Sequence, residues 1–202
     1  WESNHDQKCS KRKEVPWLQF DLSALIRAIP ALLYGASVTL RITVLSIAMG
    51  LVIGFVTGLA RVWPNIVFRT VSSTYIELIR GTPLLVQIFI VYFGLPALGL
   101  NLDPFIAGMI AMGINSGAYI GEIVRGGIES IAKGQMEAAR SLGLTYWQAM
   151  RYVILPQTLV RILPALGNEF IALLKDSSLV STIAIAELTR SGQIIITRTF
   201  KS

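Results

Sequence analysis

The amino-acid sequence predicts an all-α integral membrane protein, and three observations carry that reading. Of its 202 residues, 53% are hydrophobic and only 15% charged, with a mean hydropathy of +0.60, above that of a domain whose whole surface faces water. Uncharged runs occupy 42–60, 81–102 and 104–121, each near the roughly 20 apolar residues a helix needs to cross a hydrocarbon core about 30 Å thick. Lys and Arg often stand at the ends of apolar runs, where long cationic side chains meet headgroups. The net charge of +6 is therefore ascribed to membrane topology and not to a nucleic-acid partner.

The elements follow in chain order. Residues 1–27 form a polar extracellular or interfacial N-terminal segment, open to reading as a linker, in which 15–29 mixes Trp17, Phe20, Leu25 and Ile26 with Asp21 and Arg27 and suits the membrane surface. The chain begins with Trp1 and has no apolar signal-peptide core before residue 16, so a longer protein is expected. The membrane domain occupies 28–202. Its first apolar stretch, 30–60, is interrupted only by Arg41, which places the buried part at 42–60. A polar turn at 61–69 leads to a second span from Thr74 to Pro96, with Glu77 and Arg80 three apart as an expected ion pair. Asp103-Pro104 reads as a helix cap with a first-turn proline, opening a third span from Phe105 to about Val124. The segment 152–186 is apolar yet carries Arg161, Glu169, Lys175 and Asp176, with Pro156, Pro164 and Gly167, and reads as a broken membrane segment.

Orientation comes from the loops. The long hydrophilic connection 125–151 holds Arg125, Lys133, Arg140 and Arg151, whereas 97–104 has no Lys or Arg. The positive-inside tendency places the first in the cytoplasm, with the 61–69 turn, and the second outside. The cluster Lys8, Lys11, Arg12 and Lys13 argues the other way and is outweighed by the loop pair.

The most specific motif lies within the cytoplasmic loop 125–156: EAARSLGLTYWQAMRYVILPQ, Glu137 to Gln157. Glu137, Ala138 and Ala139 are followed after three residues by Gly143, and after nine further residues by Val153, Ile154, Leu155 and Pro156. Two small residues let a short helix approach a groove, and a glycine permits the backbone reversal that ends it; Leu142 and Leu144 are placed to fill apolar pockets. This spacing resembles the EAA signature of ABC importer permeases, with Val153 standing where the pattern has Ile. YIELIRGTPLLVQ (75–87), NSGAYIGEIVRGGI (115–128) and PALGNEFIALLKDSSL (164–179) resemble the polar amino-acid branch of that family, so the resemblance spans most of residues 30–200.

The resemblance implies a type I ABC importer permease fold, with about four spans visible and a fifth missing at the C-terminus. It also implies a multi-pass protein of the plasma (bacterial inner) membrane that carries polar amino acids, of the basic or glutamine type. Its implied partners are two copies of an ABC ATPase, a second permease chain in a homo- or heterodimer, and an extracellular or periplasmic substrate-binding protein, which the N-terminal segment leaves open as a fused domain. Glu137, Ala138, Ala139, Leu142 and Gly143 would couple to the ATPase. Asn115, Glu169 and Asp176 would line a polar cavity near the midplane, where a zwitterion's ammonium needs a carboxylate and its carboxylate needs donors. Glu169 and Asp176 stand seven apart, as do Asn115 and Glu122, two turns along one helix face. The competing reading pairs the two acids with Arg161 and Lys175.

No phosphate-binding G-x-x-x-x-G-K-[ST] run is present, and the single histidine, His5, has no nucleophile beside it, so ATP hydrolysis is expected in another polypeptide and the chain is not expected to be an enzyme. No cofactor or metal is expected, since Cys9 is the only cysteine. Two alternative readings compete with this one. An ion-coupled secondary amino-acid transporter would need more spans, usually repeated. A non-transporting membrane scaffold would have no reason to bury acids.

Overall fold

The computed structural model describes residues 22–199, all of its regular elements being helical. The N-terminal cluster at 8–13, His5, Cys9 and most of the interfacial segment lie outside the described residues. Helix α1 (Leu22–Arg61) leads through a short turn to α2 (Ile66–Arg80). After a break, α3 (Leu84–Phe89) continues as a π turn (Ile90–Gly94) and a 3-10 turn (Leu95–Leu98). Then come α4 (Pro104–Glu129), α5 (Lys133–Ser141), the one-turn α6 (Tyr146–Ala149), a π turn (Met150–Ile154), α7 (Leu155–Asp176), a 3-10 segment (Ser177–Ile183) and α8 (Leu188–Thr199).

Helix α1 is longer than expected. Its 40 residues run through Pro30 and Arg41 without interruption, about 60 Å at 1.5 Å per residue, or twice a hydrocarbon core. By length and composition, Ile26–Arg61 is the one described helix able to cross a membrane unaided; the bent pair Ile66–Arg80 and Leu84–Leu98 qualifies if counted as one span.

The second span is not the continuous helix expected over 74–96. It bends by 102° at Gly81-Thr82-Pro83, because Pro83 has no N–H to give and disfavours helical geometry in the residue before it. The segment 152–186 departs the other way: α7 continues through Pro164, and the regular helix gives out only at Ser177. Proline at 164 leaves the carbonyl of Val160 without its donor, a single loss at an exposed turn that the remaining helical hydrogen bonds sustain. At the third span the expectation holds: Asp103 Oδ1 accepts from Phe105 N at 2.9 Å, with Pro104 in the first turn.

Helix α4 is the hub. It packs along α1 through facing small residues, Gly50, Gly54 and Gly58 against Ser116, Gly117, Ile120, Gly121 and Val124. A Cβ at Gly54 would stand 2.5 Å from the Ile120 side chain, so the two backbones meet as closely as membrane helices do where Gly recurs every fourth residue. Two apolar clusters sit at different levels of α4, one around Ile88, Ala111, Met112, Leu173 and Val180, the other around Ile120, Val124, Ile154 and Ile162. Between them along α4 lie the buried polar residues Asn115 and Ser116.

The α1–α2 turn and the loop that carries α6 lie at the same end of the helices, because they touch. Trp63, from the α1–α2 turn, lies 4.2 Å centroid to centroid from Trp147 of α6.

Candidate functional site

Helices α2, α3, α4 and α7 line an open cavity of about 600 Å³. Asn115, Glu169 and Asp176 all line it, with Arg80, Thr82 and Tyr119. Asn115 and Tyr119 are one helical turn apart on α4, and Glu169 and Asp176 two turns apart on α7, so helical periodicity turns each pair toward the same space.

Each candidate is held differently. Asn115 Nδ2 donates to Gln87 Oε1 at 3.1 Å. The Gln87 amide in turn donates to Ile79 O at 2.8 Å, Thr82 O at 3.1 Å and Thr82 Oγ1 at 2.8 Å, thereby adding a donor to the backbone where α2 breaks. Glu169 Oε1 accepts from Ser116 Oγ at 2.9 Å. Among the described residues no hydrogen bond or ion pair holds the Asp176 carboxylate, and its helix ends there.

The competing pairing of these acids with Arg161 and Lys175 is not what the structure contains. Arg161 Nη1 donates to Ser130 O at 2.5 Å and Ser130 Oγ at 3.2 Å, in the first half of α7. Lys175 forms no ion pair with either acid.

The expected Glu77–Arg80 pair is also replaced. Glu77 meets Arg61 at 3.6 Å, and Arg80 approaches Glu122 at 3.9 Å while its guanidinium sits 5.1 Å over the Tyr119 ring. Glu122 does not join Asn115 in the cavity wall. It is bonded by Arg61, and Arg125 donates to it through Nη2 at 2.5 Å and Nε at 3.1 Å; Arg125 also bonds Glu129. Three helices are thus tied by charge near the C-terminal ends of α1, α2 and α4.

Four cavity or hinge residues were missed by sequence reasoning. Tyr119 was legible as one turn from Asn115 on the same helix face, and Ser116 as its polar neighbour in the chain. Gln87 was legible as a polar residue inside an apolar run, which in a membrane calls for a partner. Arg80 was set aside in favour of a pair with Glu77; its place just before Gly-Thr-Pro was the signal that it ends a helix inside the protein.

In the loop 125–156, Glu137, Ala138 and Ala139 lie in α5, with Glu137 and Ala138 exposed and Ala139 buried against the chain's own core. Only one of the two small residues therefore faces outward. Gly143 has φ +84°, and Leu144 N donates to Ala139 O at 3.2 Å and Gly143 N to Arg140 O at 3.0 Å, the double closure of a Schellman motif. Leu142, at the turn, is 84% exposed. Thr145 and Gln148 form a reciprocal capping box that starts α6.

Comparison with known proteins agrees with this architecture. Residues 50–200 match the family described as binding-protein-dependent transport system inner membrane component. The glutamine transport system permease protein GlnP of Escherichia coli (strain K12) is 50% identical over 187 residues, 92% of this chain and 85% of the relative. The arginine transport system permease protein ArtQ of Bacillus subtilis (strain 168) is 42% identical over 174 residues, 86% and 80% of the two chains. The crystal structure of an amino acid ABC transporter with histidines superposes with a TM-score of 0.84 at 46% identity, over 90% of this chain and 85% of that one. The MetNI methionine ABC transporter shares the fold at a TM-score of 0.68 and 24% identity, over 89% and 82% of the two chains. A family match over three quarters of the sequence, carried on this helical frame, means that the chain belongs to the binding-protein-dependent transport system inner membrane components.

Proposed function

We propose that this membrane permease component of an ABC importer passes a polar, zwitterionic amino acid through the cavity between α2, α4 and α7, and that Asn115, Glu169 and Asp176 are its cargo contacts. The observation that carries the reading is the convergence of two carboxylates on one cavity wall, neither offset by Arg161 or Lys175. Two like charges on one wall, one of them holding only a hydroxyl, repel each other; an ammonium arriving with the cargo offsets that repulsion. Relatives named for glutamine, arginine and cystine transport support an amino-acid cargo.

On this reading Glu137, Ala138, Ala139, Leu142 and Gly143 form the contact with a separate ATPase. The exposed face of α5 and the protruding Leu142 suit docking into a groove. Two permease chains, two ATPase subunits and a substrate-binding protein would complete the machine in a bacterial inner membrane, since one chain with few spans does not enclose a gated path. The test is uptake of radiolabelled arginine, histidine and glutamine by vesicles holding the permease, its ATPase and binding protein. Uptake should require ATP and survive collapse of ion gradients; the reverse would establish ion-coupled transport.

A further inference from the structure

We infer that Arg80 reads the carboxylate of the cargo and that Glu122 competes with the cargo for it, an inference that rests on the cavity being the amino-acid path. Arg80 is the last residue of α2, immediately before the break, and it stands in the wall of the cavity with Asn115, Tyr119, Glu169 and Asp176. Two contacts hold its guanidinium. One is the face of Tyr119, at 5.1 Å; the other is Glu122 Oε2, at 3.9 Å, beyond hydrogen-bonding reach. Among the described residues, none of its five N–H groups has a hydrogen-bond acceptor.

Glu122 does not depend on Arg80. Arg61 and Arg125 already donate to its two carboxylate oxygens, so Arg80 is a third cation drawn loosely toward an acid that is satisfied. A guanidinium with free donors, its plane set against an aromatic face, is prepared for bidentate pairing with a carboxylate. The cavity requires such a group, because a zwitterion brings a carboxylate into a space that Glu169 and Asp176 already make negative, and like charges there would oppose entry. Arg80 thus serves the carboxylate end of the cargo and the two acids its cationic end. Pairing with the cargo draws Arg80 off Glu122 and releases that α2–α4 contact, while Arg61 still ties α1 to α4. Cargo occupancy is in this way linked to the charged cluster near the C-terminal ends of α1, α2 and α4.

The test is direct binding to the permease–ATPase complex prepared without binding protein, so that only the cavity selects. Radiolabelled L-arginine, L-histidine and L-glutamine are competed with their unlabelled free acids and α-amides. Wild type should favour the free acid over the amide. R80Q should weaken the free acid about ten- to a hundred-fold, the worth of a charge-assisted pair, and leave the amide within a few-fold. R80K keeps the charge but lacks the fork, so its acid-to-amide ratio should fall between the two; it carries the test if R80Q does not assemble. E122Q removes the competitor and should tighten the free acid several-fold without changing the amide. If R80Q weakens acid and amide alike, or leaves their ratio unchanged, Arg80 is a structural cation and the inference is overturned while the cavity reading stands. A wild-type complex that binds none of the three amino acids, and vesicles that take up none, would overturn the cavity reading itself.

Discussion

Asn115 Nδ2 donates to Gln87 Oε1 across 3.1 Å, and through that bond α4 supports the break between α2 and α3. Gln87 is 8% exposed and spends its amide hydrogens on Ile79 O, Thr82 O and Thr82 Oγ1. One side chain therefore both caps a broken helix and orients a cavity residue.

Replacing it separates the two roles. Gln87→Leu keeps much of the volume but strands the buried Asn115 amide, at a cost of about 1–3 kcal/mol, and removes one donor from Ile79 O and Thr82 O. The expected outcome is a lower thermal midpoint of the purified complex together with weaker amino-acid binding, whereas Gln87→Glu should keep the bond from Asn115 and lose those to the carbonyls. An unchanged midpoint in Gln87→Leu would mean that the break holds without this cap.

Close approach of α1 and α4 depends on Gly54. Its missing Cβ would lie 2.5 Å from Ile120 Cβ and 3.0 Å from Gly117 O, so Gly54→Val forces the helices apart at a cost of about 1–3 kcal/mol or more. Gly126→Ala, where a Cβ meets nothing within 4 Å, is the matched control. Membrane yield and thermal midpoint should drop for the first and stay level for the second; equal behaviour would refute the packing argument.

Gly143 takes a left-handed conformation at φ +84°. Alanine there has open space but incurs a backbone cost of about 1–2 kcal/mol, so it should lower the stability of the loop with modest effect on transport. Gly143→Glu adds a bulky negative charge beside the exposed Leu142 and should uncouple the machine: ATPase activity loses its dependence on loaded binding protein, or the ATPase dissociates on size-exclusion chromatography. Normal stimulated hydrolysis in Gly143→Glu would exclude this turn from the contact.

Asp176→Asn and Glu169→Gln keep shape and a hydrogen-bonding oxygen while losing the attraction for an ammonium. Loss of a charge-assisted bond at about 1.5–3 kcal/mol corresponds to roughly ten- to a hundred-fold in affinity. Asp176 should be the more sensitive, since Glu169 retains the Ser116 hydroxyl as a partner in either form. A cationic cargo should suffer from both substitutions and a neutral one from a single substitution, read as vesicle uptake of arginine against glutamine. Undiminished uptake in both variants would make these acids structural.

The sequence by itself determined what local patterning encodes. The uncharged runs 42–60 and 104–121 lie within α1 and α4, Asp103-Pro104 marks the start of α4, and the Glu137–Pro156 spacing picks out the loop that turns at Gly143. Helical repeat placed Glu169 and Asp176 on one face of α7. Each of these depends on residues within a few turns of one another. Only the tertiary structure decided which faces meet: that Arg61 and Arg125, not a cavity, receive Glu122; that Arg80 looks into the cavity instead of toward Glu77; and that α2 and α3 part at 102°. The physical reason is distance along the chain. Arg61 and Glu122 are 61 residues apart, and a charge accepts any opposite partner that packing delivers, so its choice is made by the close α1–α4 contact through glycine, where the side chains that would have signalled it are absent.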